Sequence, residues 1–184
     1  FRSDLIITEF IPGVNEDQFR SFYAYMDENG TPLMQFTKRK LRQYPIYSGY
    51  GTYQTMGERH PQVAELGLKF FRESGYLGLG MVEFKRDPRD GVFKLMECNA
   101  RLSNANELIV KSGFNISFFV YQRLVGNELP PCQITRKNTT LIRPVRDFLS
   151  FRDARRKNKM TWDAYLNSIA KKHHFEIFSY KDPL

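Results

Sequence analysis

Apolar and polar side chains alternate along Gly80–Arg101, GMVEFKRDPRDGVFKLMECNAR, in two runs joined by a turn-rich link. MVEF and FKLMECN favour strands, and RDPRDG carries Pro and Asp-Gly turn chemistry. Side chains of a strand point alternately to its two faces. Val82 and Phe84 therefore share one face, and Glu83 and Lys85 the other. Met96 and Cys98 share a face of the second run, and Glu97 and Asn99 the opposite one. A turn centred near Arg89 and Asp90 brings Glu83 and Glu97 nearly opposite each other. Like charges so placed repel unless a cation lies between them. Two carboxylates with the Asn99 amide oxygen form the ligand set of a hard cation such as Mg²⁺, and Arg101 adds a cation just beyond. The competing expectation is an amphipathic hairpin whose charged face is simply solvated.

Elsewhere the pattern is read in chain order. LIITEFI, residues 5–11, predicts a buried strand stopped by Pro12-Gly13. Asp17 to Tyr25 alternates and predicts a strand, Asp27-Glu28-Asn29-Gly30 a hairpin turn, and Leu33 to Lys40 a returning strand. Residues 38–57 show no period. Lys38, Arg39, Lys40 and Arg42 crowd together before a Gly/Tyr-rich run, which predicts a flexible phosphate-covering lid, a base-stacking basic surface, or a plain loop. Pro61 to Ser74 is the clearest helix, with Val63, Leu66, Leu68, Phe70 and Phe71 at helical spacing. Gly75, Gly78 and Gly80 follow as expected close-packing positions. They do not form a dinucleotide fingerprint, which needs strand, glycines and then helix. Ser103 or Asn104 is expected to cap one helix, and Asn115 or Ser117 a second. A short strand and a basic helix follow, then a helix capped by Thr161 with Trp162, Tyr165, Leu166 and Ile169 inward. HFEIFSYKDPL is expected to end the chain as a strand and turn.

Length and composition narrow the class. A chain of 184 residues with 41% hydrophobic and 15% aromatic residues is a folded globular protein, and no run is long and apolar enough to span a bilayer. No signal peptide is recognisable at FRSDLIITEF, and Phe1 is expected to be a cut edge. Cys98 and Cys132 give neither a disulfide framework nor a zinc spacing, so a cytoplasmic setting is expected. His173 and His174 lack a third metal ligand nearby. The net charge of +8 is uneven: residues 134–184 hold 12 Lys/Arg against 5 Asp/Glu, an excess of 7, which leaves +1 for residues 1–133. Such a tail attracts polyanions or is merely a solvated helix surface.

The order Glu, short loop, then Glu-x-Asn-x-Arg resembles the metal-binding hairpin of the ATP-grasp superfamily. A second element supports it. Glu9, Phe10 and Ile11 resemble the superfamily's linker strand, whose backbone hydrogen-bonds adenine, and Glu16 stands where the ribose ligand is expected. RQYP, GYGTY and FSYKDPL look like segments of carboxylate–amine ligases within it, and VGNELP resembles the exit of a helix in the ATP-grasp lobe. The resemblance covers about residues 5–130. It implies an α+β fold, an antiparallel sheet flanked by helices. Residues 1–131 would be the C-terminal lobe of the ATP-grasp domain, and residues 132–184 a basic, mostly helical extension packed on it.

The resemblance also implies an ATP-dependent ligase that works through an acylphosphate. Glu83, Glu97 and Asn99 would hold Mg²⁺ (or Mn²⁺), Arg101 would face the transferred phosphoryl group, and Lys38, Arg39 or Arg42 would add phosphate contacts. ATP and small carboxylate and amine substrates would be the ligands. Ala100 departs from the family's usual residue between Asn and Arg. The superfamily's first ATP-binding lobe precedes the linker strand, so this piece alone is expected to be weakly active or inactive. The rest of the same protein or a second copy in a homodimer would complete it, and no membrane partner is expected. The rivals are a basic RNA-binding module, which is disfavoured, and a nucleotide-binding scaffold without turnover.

Overall fold

The computed structural model describes residues 7–14 and 17–176. Seven strands form one sheet: β1 (Phe19–Met26), β2 (Pro32–Tyr44), β3 (Tyr50–Met56), β4 (Gly78–Arg86), β5 (Phe93–Asn99), β6 (Thr139–Ile142) and β7 (His174–Phe175). Their order across the sheet is β5-β4-β1-β2-β3-β6-β7. All neighbours are antiparallel except β6 and β7. Helices α1 (Pro61–Glu73), α2 (Asn106–Lys111), α3 (Ile116–Leu124), α4 (Pro144–Arg156) and α5 (Trp162–Ile169) flank it. This is the α+β arrangement expected, an antiparallel sheet with helices on its faces.

Alternation along β1 decides what lies on each face. Phe22, Ala24 and Met26 point toward α1, where Val63, Ala64 and Phe71 join Val82, Phe84 and Phe93 in one core. Tyr23 points the other way, into a core of Met34, Phe36, Met56 and Met81 with Leu108, Ile109, Phe114, Ile116 and Phe119. Both cores contain residues with no exposed surface, so the sheet is covered on two sides. Helix α1 starts where Pro61 occupies the first turn and the His60 ring nitrogen accepts from the Val63 N–H.

Residues 38–57 do not form a lid. Lys38 to Tyr44 complete the long strand β2, and Tyr50 to Met56 are β3, leaving only residues 45–49 as a turn. The run reads as irregular because cations stand on both faces of β2, Lys38 and Lys40 on one and Arg39 on the other, each with a partner within the protein. Residues 7–11 are not strand either, and Leu5 and Ile6 lie outside the described residues. Of the three glycines after α1, only Gly80 is a close-packing position. A Cβ there would meet the Tyr76 ring at 2.7 Å and the Phe71 ring at 2.9 Å. Gly75 and Gly78 have open space around them and instead adopt φ of +64° and +83°, which side chains disfavour.

The segment after residue 131 contributes β6 and β7 to the sheet as well as α4 and α5. Arg42 holds α4 and α5 to β2 and β3. Its guanidinium donates to both Asp147 oxygens at 2.9 and 2.7 Å and to Ser168 Oγ at 2.7 Å. It lies 4.5 Å from the Tyr53 ring centre and 5.1 Å from that of Tyr165. Of the side chains expected inward on α5, Tyr165 is buried, whereas Trp162 and Leu166 are about half exposed. The terminal FSYKDPL element begins at Phe178, outside the described residues.

Candidate functional site

On the face of the sheet that bears Tyr23, helices α2 and α3 cover only part of the strands. Beside them lies a cleft of about 490 Å³ lined by β1 to β5, the turn residues 47–49 and residues 8–11. Its size suits a nucleotide-scale ligand. Six cationic side chains line it against three carboxylates among the described residues, so its balance favours an anion.

The carboxylates come from the hairpin. β4 and β5 pair so that Glu83 faces Glu97 directly, with a bulge between Glu83 and Phe84. The bulge lets Met96 as well as Glu97 reach the cleft. The turn that sets this register is locked by Asp87, whose buried carboxylate accepts from Arg89 at 2.6 Å and Lys94 at 2.8 Å. Those two donors hold Asp87 far below the usual carboxylate range. Glu97 is exposed and accepts from Asn99 Nδ2 at 2.8 Å.

Glu83 sits deeper. Lys40 Nζ lies 2.5 Å from its Oε2, and Ser21 Oγ donates to Oε1 at 3.3 Å. Burial pushes the Glu83 carboxyl up, but Lys40 and Lys38 outweigh it and leave the group below its ordinary range. Lys38 is buried, donates to Gln54 Oε1 at 2.7 Å, and lies 5.7 Å from the Tyr23 ring centre. Burial lowers its ammonium pKa, with Glu83 opposing.

The expected site residues do not all converge. Glu83, Glu97, Asn99, Arg101, Lys38, Glu9, Phe10 and Ile11 line the cleft. Arg39 and Arg42 do not. Period-2 alternation turns Arg39 to the other face, where it pairs with Asp17 at 3.0 Å, and Arg42 is held by Asp147. Glu16 lies outside the described residues. Glu9 pairs with Arg89 at 2.6 Å.

Two lysines that the sequence analysis named without giving them a site role belong to the cleft. Lys40 faces it because it shares a face with Lys38, a signal already present in the predicted strand Leu33 to Lys40. Lys85 is buried and donates to the Ile11 carbonyl at 2.5 Å, with its Nζ 5.5 Å from the Phe10 ring centre. It ties the 8–11 segment to the hairpin. Opposite it, Ser103 is not a helix cap for α2. It bonds Tyr23 Oη at 2.5 Å, and α2 starts at Asn106 without a side-chain cap.

The donors fit a hard divalent cation, since all are oxygens. Among the described residues no three His, Cys, Asp or Glu side chains cluster as a complete site. Two carboxylates and an amide oxygen suffice for Mg²⁺ only when phosphate oxygens share the shell, as is usual for that ion.

No protein-family model matches the chain. Over 129 residues it is 29% identical to a D-aspartate ligase of Enterococcus faecium, covering 70% of this chain and 30% of that protein. Over 99 residues it is 25% identical to the arginine-specific carbamoyl phosphate synthase large chain of Cutaneotrichosporon cutaneum, covering 52% and 8%. The chain thus spans less than a third of the length of these curated relatives. A biotin carboxylase from Campylobacter jejuni, solved as a β-γ-ATP complex, superposes with a TM-score of 0.52 at 18% identity over 67% of this chain and 28% of its own. A phosphoribosylaminoimidazole carboxylase ATPase subunit from Aquifex aeolicus superposes with a TM-score of 0.53 at 14% identity, over 66% and 38%. At such identities the two structures establish the fold, and the sequence relatives carry the resemblance further. Fold, relatives and the Glu–turn–Glu-x-Asn-x-Arg hairpin are all consistent with the ATP-grasp superfamily that the sequence resembles.

Proposed function

We propose that this chain supplies the Mg–ATP-binding lobe of an ATP-dependent carboxylate–amine ligase. The observation that carries the proposal is the cross-strand pair Glu83 and Glu97, with Asn99, opening on a cleft whose other charges are mainly cationic. A triphosphate with its divalent ion satisfies both halves of that cleft. The relative named a D-aspartate ligase supports an amino-acid-like substrate.

In this reading the substrate carboxylate attacks the γ-phosphorus, ADP leaves, and the acylphosphate forms. The amine nitrogen then attacks the acyl carbon, phosphate leaves, and a proton is released from the amine. A bound Mg²⁺ would neutralise phosphate charge and hold the triphosphate in line. Glu83, Glu97 and Asn99 would be its protein ligands. Arg101, exposed at the end of the hairpin, would stabilise charge on the transferred group. The backbone of residues 9–11, anchored by Lys85, would present donors and acceptors to adenine. The sheet positions these groups before the substrate arrives, which is where most of such a rate advantage originates.

The RNA-binding alternative loses its main support, because the Lys38–Arg42 run is a strand whose cations are engaged within the protein. Isothermal titration with ATP, with and without Mg²⁺, tests the proposal. Wild type is expected to bind in a metal-dependent way, and Glu97→Gln to lose at least about tenfold in affinity. Equal binding by both proteins would refute the metal assignment.

A further inference from the structure

Lys40 is the cleft residue whose position the ligase reading leaves unexplained. Its Nζ lies 2.5 Å from Glu83 Oε2, and the two side chains are only 11% and 14% exposed. Ser21 takes the other Glu83 oxygen, and Glu97 already accepts from Asn99. Each carboxylate therefore has a donor, and the charge of Glu83 is neutralised by Lys40 without any ion. A divalent cation held by Glu83 would meet Lys40 at Oε2. Both cannot hold it, since an ammonium and a metal ion that close repel.

Lys40 has somewhere else to go. It projects into the same cleft as Lys38, two residues along one face of β2, and its Nζ lies 5.9 Å from the Phe19 ring centre on the cleft wall. Its partner is a single carboxylate contact on a flexible four-carbon stem, unlike the bidentate fork of Arg42. A phosphate oxygen entering the cleft offers an equivalent anion.

We infer that Lys40 is an exchangeable stand-in for the metal ion: it neutralises Glu83 in the empty cleft and moves to a ligand phosphate when nucleotide enters, releasing Glu83 to the ion. The exchange rests on the proposed function of the cleft. It makes phosphate binding and metal binding support each other, because the same lysine opposes the second until it has served the first. It also keeps the paired carboxylates from capturing a divalent ion before nucleotide is present.

The test uses this chain, the variants Lys40→Gln and Lys40→Met, and two probes. Mn²⁺ alone is titrated by the loss of its free electron-paramagnetic-resonance signal. ATP is titrated separately in EDTA, where no metal is available, with adenosine as the phosphate-free control. Both variants are expected to bind Mn²⁺ about fivefold or more tighter than wild type. They are also expected to bind ATP in EDTA about tenfold more weakly, with adenosine unchanged. These opposite signs are the signature, since mere structural damage weakens both.

Unchanged or weaker Mn²⁺ binding in a variant with wild-type circular dichroism would overturn the exchange. Tighter Mn²⁺ binding with unchanged ATP binding would do so too, as would a wild type that binds no ATP in EDTA. Equal Mn²⁺ binding by Lys40→Gln and the double variant Lys40→Gln/Glu97→Gln would instead sink the metal assignment itself, so the two failures are distinguishable. Lys40→Gln keeps a polar group beside Glu83 and guards against misfolding of Lys40→Met.

Discussion

Replacing Arg42 by alanine separates a phosphate-binding role from an architectural one. The guanidinium makes two hydrogen bonds to Asp147, one to Ser168, and lies between the rings of Tyr53 and Tyr165. Asp147 is fully buried, and without Arg42 the partners left to it are neutral hydroxyls, Thr52 Oγ1 at 2.9 Å and that of Tyr165. Breaking a buried ion pair on one side costs about 3–5 kcal/mol, because a desolvated charge is left without its counter-ion. The lost stacking against two aromatic rings adds about 0.5–2 kcal/mol. For a chain of this size, each kcal/mol lowers Tm by about 2–4 °C, so a drop of about 7–28 °C is expected. Urea denaturation followed by far-ultraviolet circular dichroism measures the loss directly, with an unchanged m-value as the check on two-state behaviour. The double variant Arg42→Met/Asp147→Leu removes both charges and is expected to recover most of the loss. ATP affinity of the folded Arg42→Ala protein is expected to match wild type. A stability loss below about 1 kcal/mol would refute the clamp, because that is the range of an exposed pair.

Three further outcomes follow from single positions. Gly67→Ala places a methyl 2.1 Å from the buried Phe22 ring, so it is expected to destabilise by about 1–3 kcal/mol despite alanine's better helix propensity, as read by the urea midpoint. His60 accepts from the α1 N-terminus, and burial, with Arg20 and Arg86, lowers its pKa below 6.5. A depressed folded pKa contributes stability above pH 6.5 that is lost as pH falls through the folded value, so wild type should weaken between pH 7 and 5 more than His60→Asn, whose amide caps at any pH. Lys85→Met removes the donor to the Ile11 carbonyl, and amide exchange in residues 8–11 should accelerate while that of β4 does not. Uniform acceleration would point to general unfolding instead.

Local chemistry made the hairpin and α1 readable from residue order. The alternation in MVEF and FKLMECN and the Pro and Asp-Gly link are short-range signals, and they placed Glu83 against Glu97 as the register shows. Pro61 and the apolar spacing after it likewise mark α1. Strands β2 and β3 were hidden through residues 38–57 because cations and tyrosines stand on both faces where an alternating pattern would lie, the cations partnered by residues of other elements. The superfamily resemblance named the residue types of the site but not its membership. Arg42 and Lys40 are two residues apart, yet Asp147, 105 residues away, takes the first, and Glu83, 43 residues away, takes the second. Those partners arrive only when the sheet assembles and α4 docks on it. Spacing along the chain specifies which faces side chains share within one element. Which charge meets which counter-charge depends on contacts between elements, and a buried charge is stable only with the partner that the tertiary fold delivers.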